Sequence, residues 1–201
     1  MEAFTTLRGI AIPFDEANVD TNQLCPTRFN KVPRGERFAE ILLHDRRFRA
    51  DGSEIADFIL NQEPYRHGRI IVADRNFGVG SSRETAVLGL FFFGVRCVIA
   101  PSFGDIFFNN CMKNGVLPLA LPAEAVAELM GKLHANRGEE LAVDLGAQTV
   151  TSADGSVYTF EIRPLSKRRM LKGLDDVSLT NEFRDDISRF EIAYKREYDW
   201  L

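Results

Sequence analysis

Short blocks of consecutive apolar residues alternate with amphipathic stretches in the middle of this chain. Residues 69–73 (RIIVA), 96–100 (RCVIA) and 116–121 (VLPLAL) are unbroken or nearly unbroken apolar runs of strand length. Such runs mark strands buried on both faces, the signature of a parallel sheet. Between them the pattern predicts helices over 83–93 and 105–113, so the stretch reads as two successive βαβ units with right-handed crossovers. The segment 85–93 is apolar on nearly every side and should lie deep. A further helix over 122–135 places Val126, Leu129, Met130 and Leu133 at i, i+3, i+4, i+7 spacing, with Pro122 suited to its first turn.

Outside this centre the pattern is less regular. Residues 7–13 predict a strand and 15–22 a polar loop. Two prolines and a glycine in 24–35 exclude a long regular element there. A helix over 36–44 and a short one over 55–60 are expected. Strands over 141–145, 148–152 and 157–163 follow, with Ala153-Asp154-Gly155 as a hairpin turn. The tail reads as a helix from an N-cap at Thr180 to about Lys195, with Phe183, Ile187, Phe190 and Tyr194 on one stripe. The fold class is therefore α/β: one domain over 1–201, a mainly parallel sheet, flanking helices, an added β-hairpin region and a C-terminal helix near 181–195.

With 201 residues, 45% hydrophobic and 27% charged, the chain can bury an ordinary core. Its formal net charge of −4 gives no reason to expect nucleic acid or an anionic membrane as partner. No apolar run approaches bilayer length, and no basic leader with an apolar core opens the chain, so a cytoplasmic protein is expected. Cys25, Cys97 and Cys111 are widely spaced and form no C-x-x-C pair. They supply neither a disulfide framework nor a local ligand set for zinc or an iron–sulfur cluster. Cys97 and Cys111 read as core fillers; Cys25, near a loop, could be a reactive thiol.

The most chemically loaded segment is Asn76-Phe77-Gly78-Val79-Gly80-Ser81-Ser82-Arg83-Glu84, which joins a strand to a helix. Gly78 and Gly80 permit positive φ and close backbone approach, and the helix start offers free N–H groups to an anion. Arg83 adds a planar fork matched to a carboxylate. Ser81-x-x-Glu84 also fits a capping box, which needs no catalytic role. A dinucleotide fingerprint fails because Arg83 stands at its third glycine, and no Gly-Lys-Ser/Thr completes a P-loop.

These residues resemble the signature of the aconitase superfamily's swivelling domain. Residues 97–107 (CVIAPSFGDIF), with Asn110 and Leu117-Pro118, are similar to its continuation. Asn18-Val19-Asp20-Thr21-Asn22, Pro26 and Arg28-Phe29 resemble the N-terminal loop of the 3-isopropylmalate dehydratase small-subunit family, and Gly173-Leu174-Asp175 with Leu179-Thr180 its C-terminal segment. The resemblance spans nearly the whole chain. It implies a hydro-lyase that isomerises 2-isopropylmalate to 3-isopropylmalate by dehydration and rehydration in leucine biosynthesis. It also implies a large-subunit partner in a heterodimer or heterotetramer, a di- or tricarboxylic hydroxy acid substrate, and a [4Fe-4S] cluster held by that partner, with no metal bound by this chain. Carried onto matching positions, Ser81 is the base. Ser82, Arg83, Thr21, Asn22 and Arg34 bind substrate, Gly78 and Gly80 form the anion loop, and Arg28, Phe29, Asn30 and Lys31 read the substituent. Thr85 replaces the family's histidine, Asn22 its second aspartate, and Asn30 a leucine. These departures keep open a dehydratase for another substituted malate (homoaconitate-, citraconate- or methylmalate-type) or a catalytically silent carboxylate-binding module.

Overall fold

Residues 1–80, 83–198 and 200 are described by a computed structural model of the chain. The strands are β1 (Thr6–Phe14), β2 (Ile70–Ala73), β3 (Cys97–Ala100), β4 (Leu117–Ala120), β5 (Glu140–Asp144), β6 (Thr149–Thr151) and β7 (Val157–Thr159). They form one seven-stranded sheet in the order β4-β3-β2-β1-β5-β6-β7. The half formed by β4, β3, β2 and β1 is parallel, and the half formed by β1, β5, β6 and β7 is antiparallel. The mainly parallel centre and the hairpin extension expected from the pattern are both present. Strand β1 belongs to both halves: Ala11–Phe14 pair with β2, whereas Thr6–Ile10 pair with β5.

The helices are α1 (Thr21–Leu24), α2 (Phe38–Ile41), α3 (His44–Arg47), α4 (Glu84–Phe93), α5 (Asp105–Asn114), α6 (Ala123–Ala135), α7 (Pro164–Lys172), α8 (Asp176–Asn181) and α9 (Arg184–Glu197). One face of the sheet, through Ile12, Ile71 and Val98, packs under α1, α2 and α4 with Phe107 and Cys111 of α5. The other, through Ile70, Val72 and Ile99, packs under α6 and against Met170 of α7. Alternate residues of each central strand thus serve different cores, which is why these strands read as continuous apolar runs. Helix α4 is buried from Ala86 to Leu90, with its last turn half-exposed. Lys132 of α6 ties the hairpin down. Its Nζ lies 2.8 Å from Asp154 Oδ2 and Ser156 Oγ and 2.9 Å from Glu128 Oε1.

Four local expectations are corrected. The helix over 36–44 breaks into α2 and α3, because Leu43 adopts a left-handed conformation (φ 50°) while keeping its side chain in the core. The helix over 55–60 is only a 3-10 turn at Ile59–Asn61. Thr180 caps nothing: it sits inside α8, whose cap is Asp175, accepting from Ser178 N at 2.7 Å; the tail helix begins at Arg184. Finally, α7 had no counterpart in the reading, since Met170 is its one buried side chain.

The insertion between β1 and β2 is organised by a buried arginine. Arg47 Nε donates to Asn61 Oδ1 at 3.1 Å, and Nη1 to the carbonyls of Ala39 at 2.6 Å and Leu42 at 3.3 Å. Asn61 Nδ2 returns bonds to the carbonyls of Arg47 and Ile55. The guanidinium lies about 5 Å from the Phe48 and Phe93 ring centres (5.0 and 4.9 Å). This lattice ties α2 and α3 to the end of α4.

Candidate active site

Three loops converge at the carboxyl ends of β1, β2 and β3, where open α/β sheets place their ligands. The loop after β2 is fixed by backbone pairing on both sides. Gly78 N donates to Val19 O at 2.7 Å, and Thr21 N to Val79 O at 2.9 Å, joining it to the loop after β1. Phe77 N donates to Ser102 O at 3.0 Å, and Gly104 N to Phe77 O at 2.9 Å, joining it to the loop after β3. Asn76 adds a side-chain latch, Nδ2 to Asn18 Oδ1 at 2.9 Å, while its backbone N–H meets Ser102 Oγ at 2.9 Å. Gly78 and Gly80 take φ values of +73° and +110°, as their place in the loop requires. A cleft of about 350 Å³ opens beside them, lined by Asn76, Gly78, Gly80, Phe103, Asp105 and Ile106 among others.

Arg83 stands at the N-cap of α4, half-buried. Its Nη1 donates to Asn22 Oδ1 and, at 2.9 Å, to Thr27 Oγ1. Thr27 Oγ1 in turn donates to Asn22 Oδ1 at 3.0 Å. Asn22 is held by α1, whose cap Asp20 accepts from Asn22 N at 2.7 Å and Gln23 N at 2.8 Å. No carboxylate pairs with Arg83 among the described residues, and its Nε and Nη2 find no acceptor there. Two N–H donors on one edge of the fork thus have no described partner, in the parallel arrangement that a carboxylate matches. A second cavity, about 320 Å³ under α6, is lined by Asp15, Asp74, Pro101 and Met130 among others.

The other expected site residues fall into place unevenly. Thr21 is buried beneath Gly80: its hydroxyl lies 3.4 Å from where a Cβ on Gly80 would sit. Arg28 is committed to Asp45, with two hydrogen bonds, and covers the Phe29 ring at 4.5 Å. Phe29 is half-buried against His44, ring centres 4.9 Å apart. Asn30 Oδ1 accepts from Thr85 Oγ1 at 3.3 Å. Lys31 and Arg34 are exposed, with no hydrogen bond or ion pair to a described residue. Ser81 and Ser82 lie outside the described residues. The capping-box expectation rests on Ser81 and so lies outside the described residues; α4 begins at Glu84, with Arg83 at its cap, and the Glu84 carboxylate accepts from Asn114 Nδ2 at 2.9 Å.

Thr27 was missed by the sequence reading. Its only signal is a hydroxyl in the same loop as Asn22, beside Pro26. Cys25, the one thiol near the site, is buried, and desolvation pushes its pKa up against the smaller opposing effects of Thr85 and Arg83. A buried neutral thiol is no nucleophile. Among the described residues, no three His, Cys, Asp or Glu side chains gather into a metal-binding group. The three cysteines are buried among apolar core side chains, so they do not fit a cluster.

Known proteins supply the remaining comparison. A family profile for the aconitase C-terminal domain matches residues 1–124, and one described as LeuD_N matches residues 127–164. The 3-isopropylmalate dehydratase small subunit of Roseobacter denitrificans is 47% identical over the full length of both chains, as is that of Paramagnetospirillum magneticum. The small subunit from Paracoccus denitrificans is 44% identical over the same extent. The crystal structure of 3-isopropylmalate dehydratase from Methanocaldococcus jannaschii shares the fold, with a TM-score of 0.66, 24% identity, and coverage of 92% of this chain and 98% of its own. With a fold, a loop constellation and full-length relatives in agreement, the chain belongs to the 3-isopropylmalate dehydratase small-subunit family, built on the aconitase C-terminal domain.

Proposed function

We propose that the whole chain, residues 1–201, works as one unit, the small subunit of a cytoplasmic hydro-lyase that interconverts 2- and 3-isopropylmalate in leucine biosynthesis. The observation that supports this is Arg83, held at a helix start with donors that meet no carboxylate among the described residues. A malate skeleton offers two carboxylates, and Arg83 would bind one of them through its free edge. Ser82 would add a hydroxyl to the same grip. Asn22 would act through Arg83, and Arg34 remains free to approach a second carboxylate from solvent. Ser81, between Gly80 and Arg83, would take the carbon-bound proton. A serine hydroxyl is a weak base, so the helix N–H groups and the Arg83 charge would have to stabilise its alkoxide.

The cysteines here do not fit an iron–sulfur cluster, so the cluster chemistry is assigned to a large subunit, paired with this chain as a heterodimer or heterotetramer. The substituent-reading turn also favours isopropylmalate over a more polar acid. Asn30 spends its side-chain oxygen on Thr85, which leaves one polar acceptor fewer in that turn.

The test is coexpression with a candidate large subunit and assay on isopropylmalate, citrate, homocitrate and methylmalate. The lone chain should be inactive, and the complex should prefer isopropylmalate. Strong preference for another acid, or turnover by the lone chain, would overturn the assignment. In the same complex Arg83→Lys should lose most turnover, since a point charge cannot replace the fork.

A further inference from the structure

We infer that Thr27 is a positioning residue for Arg83, acting with Asn22 as an uncharged clamp that sets the fork's direction without cancelling its charge. The inference deepens the reading of Arg83 as a substrate-carboxylate binder and rests on it. The Thr27 hydroxyl is used in both senses: it accepts from Arg83 Nη1 at 2.9 Å and donates to Asn22 Oδ1 at 3.0 Å. Asn22 Oδ1 also receives Nη1, so the three groups close a triangle. Nothing local requires this of Thr27. The 3-10 turn Thr27–Phe29 has no side-chain cap bond, and the residue is exposed.

The neighbouring Arg28 shows the alternative. Its fork is spent on the Asp45 carboxylate, which neutralises it and occupies both Nη1 and Nη2. Among the described residues, Arg83 is held through one nitrogen, by an amide and a hydroxyl. Nearby carboxylates are engaged elsewhere, Asp20 by the backbone of α1 and Glu84 by Asn114. The fixed nitrogen removes rotamer freedom before binding, and the unspent charge is kept for the ligand. The same turn is tied to α4 a second time, through Asn30 and Thr85. The fork and the substituent-reading turn are thereby set relative to one another.

The experiment is steady-state kinetics on isopropylmalate in the complex reconstituted with its large subunit. Thr27→Val, which keeps shape and removes the hydroxyl, should raise KM about three- to tenfold, the scale of one ordinary hydrogen bond, with a smaller change in kcat. Thr27→Ser should return KM to within about twofold of the parent, a rescue that a packing role for the methyl group does not predict. Asn22→Asp, which sets a carboxylate on the same nitrogen, should raise KM as well. An unchanged KM for Thr27→Val, or a Thr27→Ser variant as impaired as Thr27→Val, overturns the inference. Arg83→Lys separates the two levels. If it is impaired while Thr27→Val is not, the clamp alone fails; if it is unimpaired, the reading of Arg83 fails and the clamp with it.

Discussion

The tightest point in the site loop is Gly78, and a single methyl group there should be expensive. Its φ of +73° lies in the left-handed region, which costs an alanine about 1–2 kcal/mol. A Cβ would also sit 2.2 Å from Cγ and 2.3 Å from Cδ1 of Phe107. Phe107 cannot easily yield. It is 1% exposed and packs against Phe77 and Phe103, with ring centres at 5.6 and 6.5 Å. Overpacking of this kind adds about 1–3 kcal/mol. Gly78→Ala should therefore lower stability by about 2–5 kcal/mol. Gly155→Ala is the control: φ is +86°, but nothing lies within 4 Å of its Cβ, so only the backbone cost applies. The assay is equilibrium urea unfolding of both variants, compared at equal m-value. Equal losses for the two would refute the claim that the loop is pressed onto Phe107.

Three other outcomes are expected. Burial raises the pKa of Cys25, Cys97 and Cys111, so in each case the unfolded chain ionises first; their contribution is complete below the ordinary thiol value near 8.5 and is lost as pH rises beyond it, by up to about 1.4 kcal/mol per thiol per pH unit. The urea midpoint should fall between pH 8.5 and 10, less steeply once Cys111 is alanine and referenced to its own pH 8 value. Arg47→Met should cost about 2–4 kcal/mol, because two carbonyls and the Asn61 amide lose a buried donor, and differential scanning calorimetry would read it. Truncation after Glu182 should leave the unfolding temperature nearly unchanged, since α9 buries no side chain; a drop of several degrees would show that the tail docks on its own domain.

What the sequence made legible follows where burial writes a period. Strands β2 to β4 and helices α4 to α6 face core on whole sides, so their apolar pattern located them within two residues. Helix α7 buries only Met170 and carries exposed Leu165, leaving no stripe to read. The break at Leu43 arises from long-range packing, since no local residue announces a left-handed leucine. In the site, Arg83 and Asn22 were found by motif, and the structure brings them into contact. Thr27 was invisible because its role depends on a neighbour 56 positions away. Arg28 looked available and is instead committed to Asp45, a pairing across 17 positions that no spacing rule reveals.

The double allegiance of β1 separates two kinds of damage. A one-residue insertion after Phe14 would leave both halves of the sheet in place. One between Ile10 and Ala11 would let either the first five residues or the last four keep their partners, but not both. If the last four held, the loops bearing Asp20 and Arg83 would stay aligned and the misfit would fall on the hairpin. Sequence drift should therefore be absorbed by the distal half, leaving the ligand end as the fixed frame.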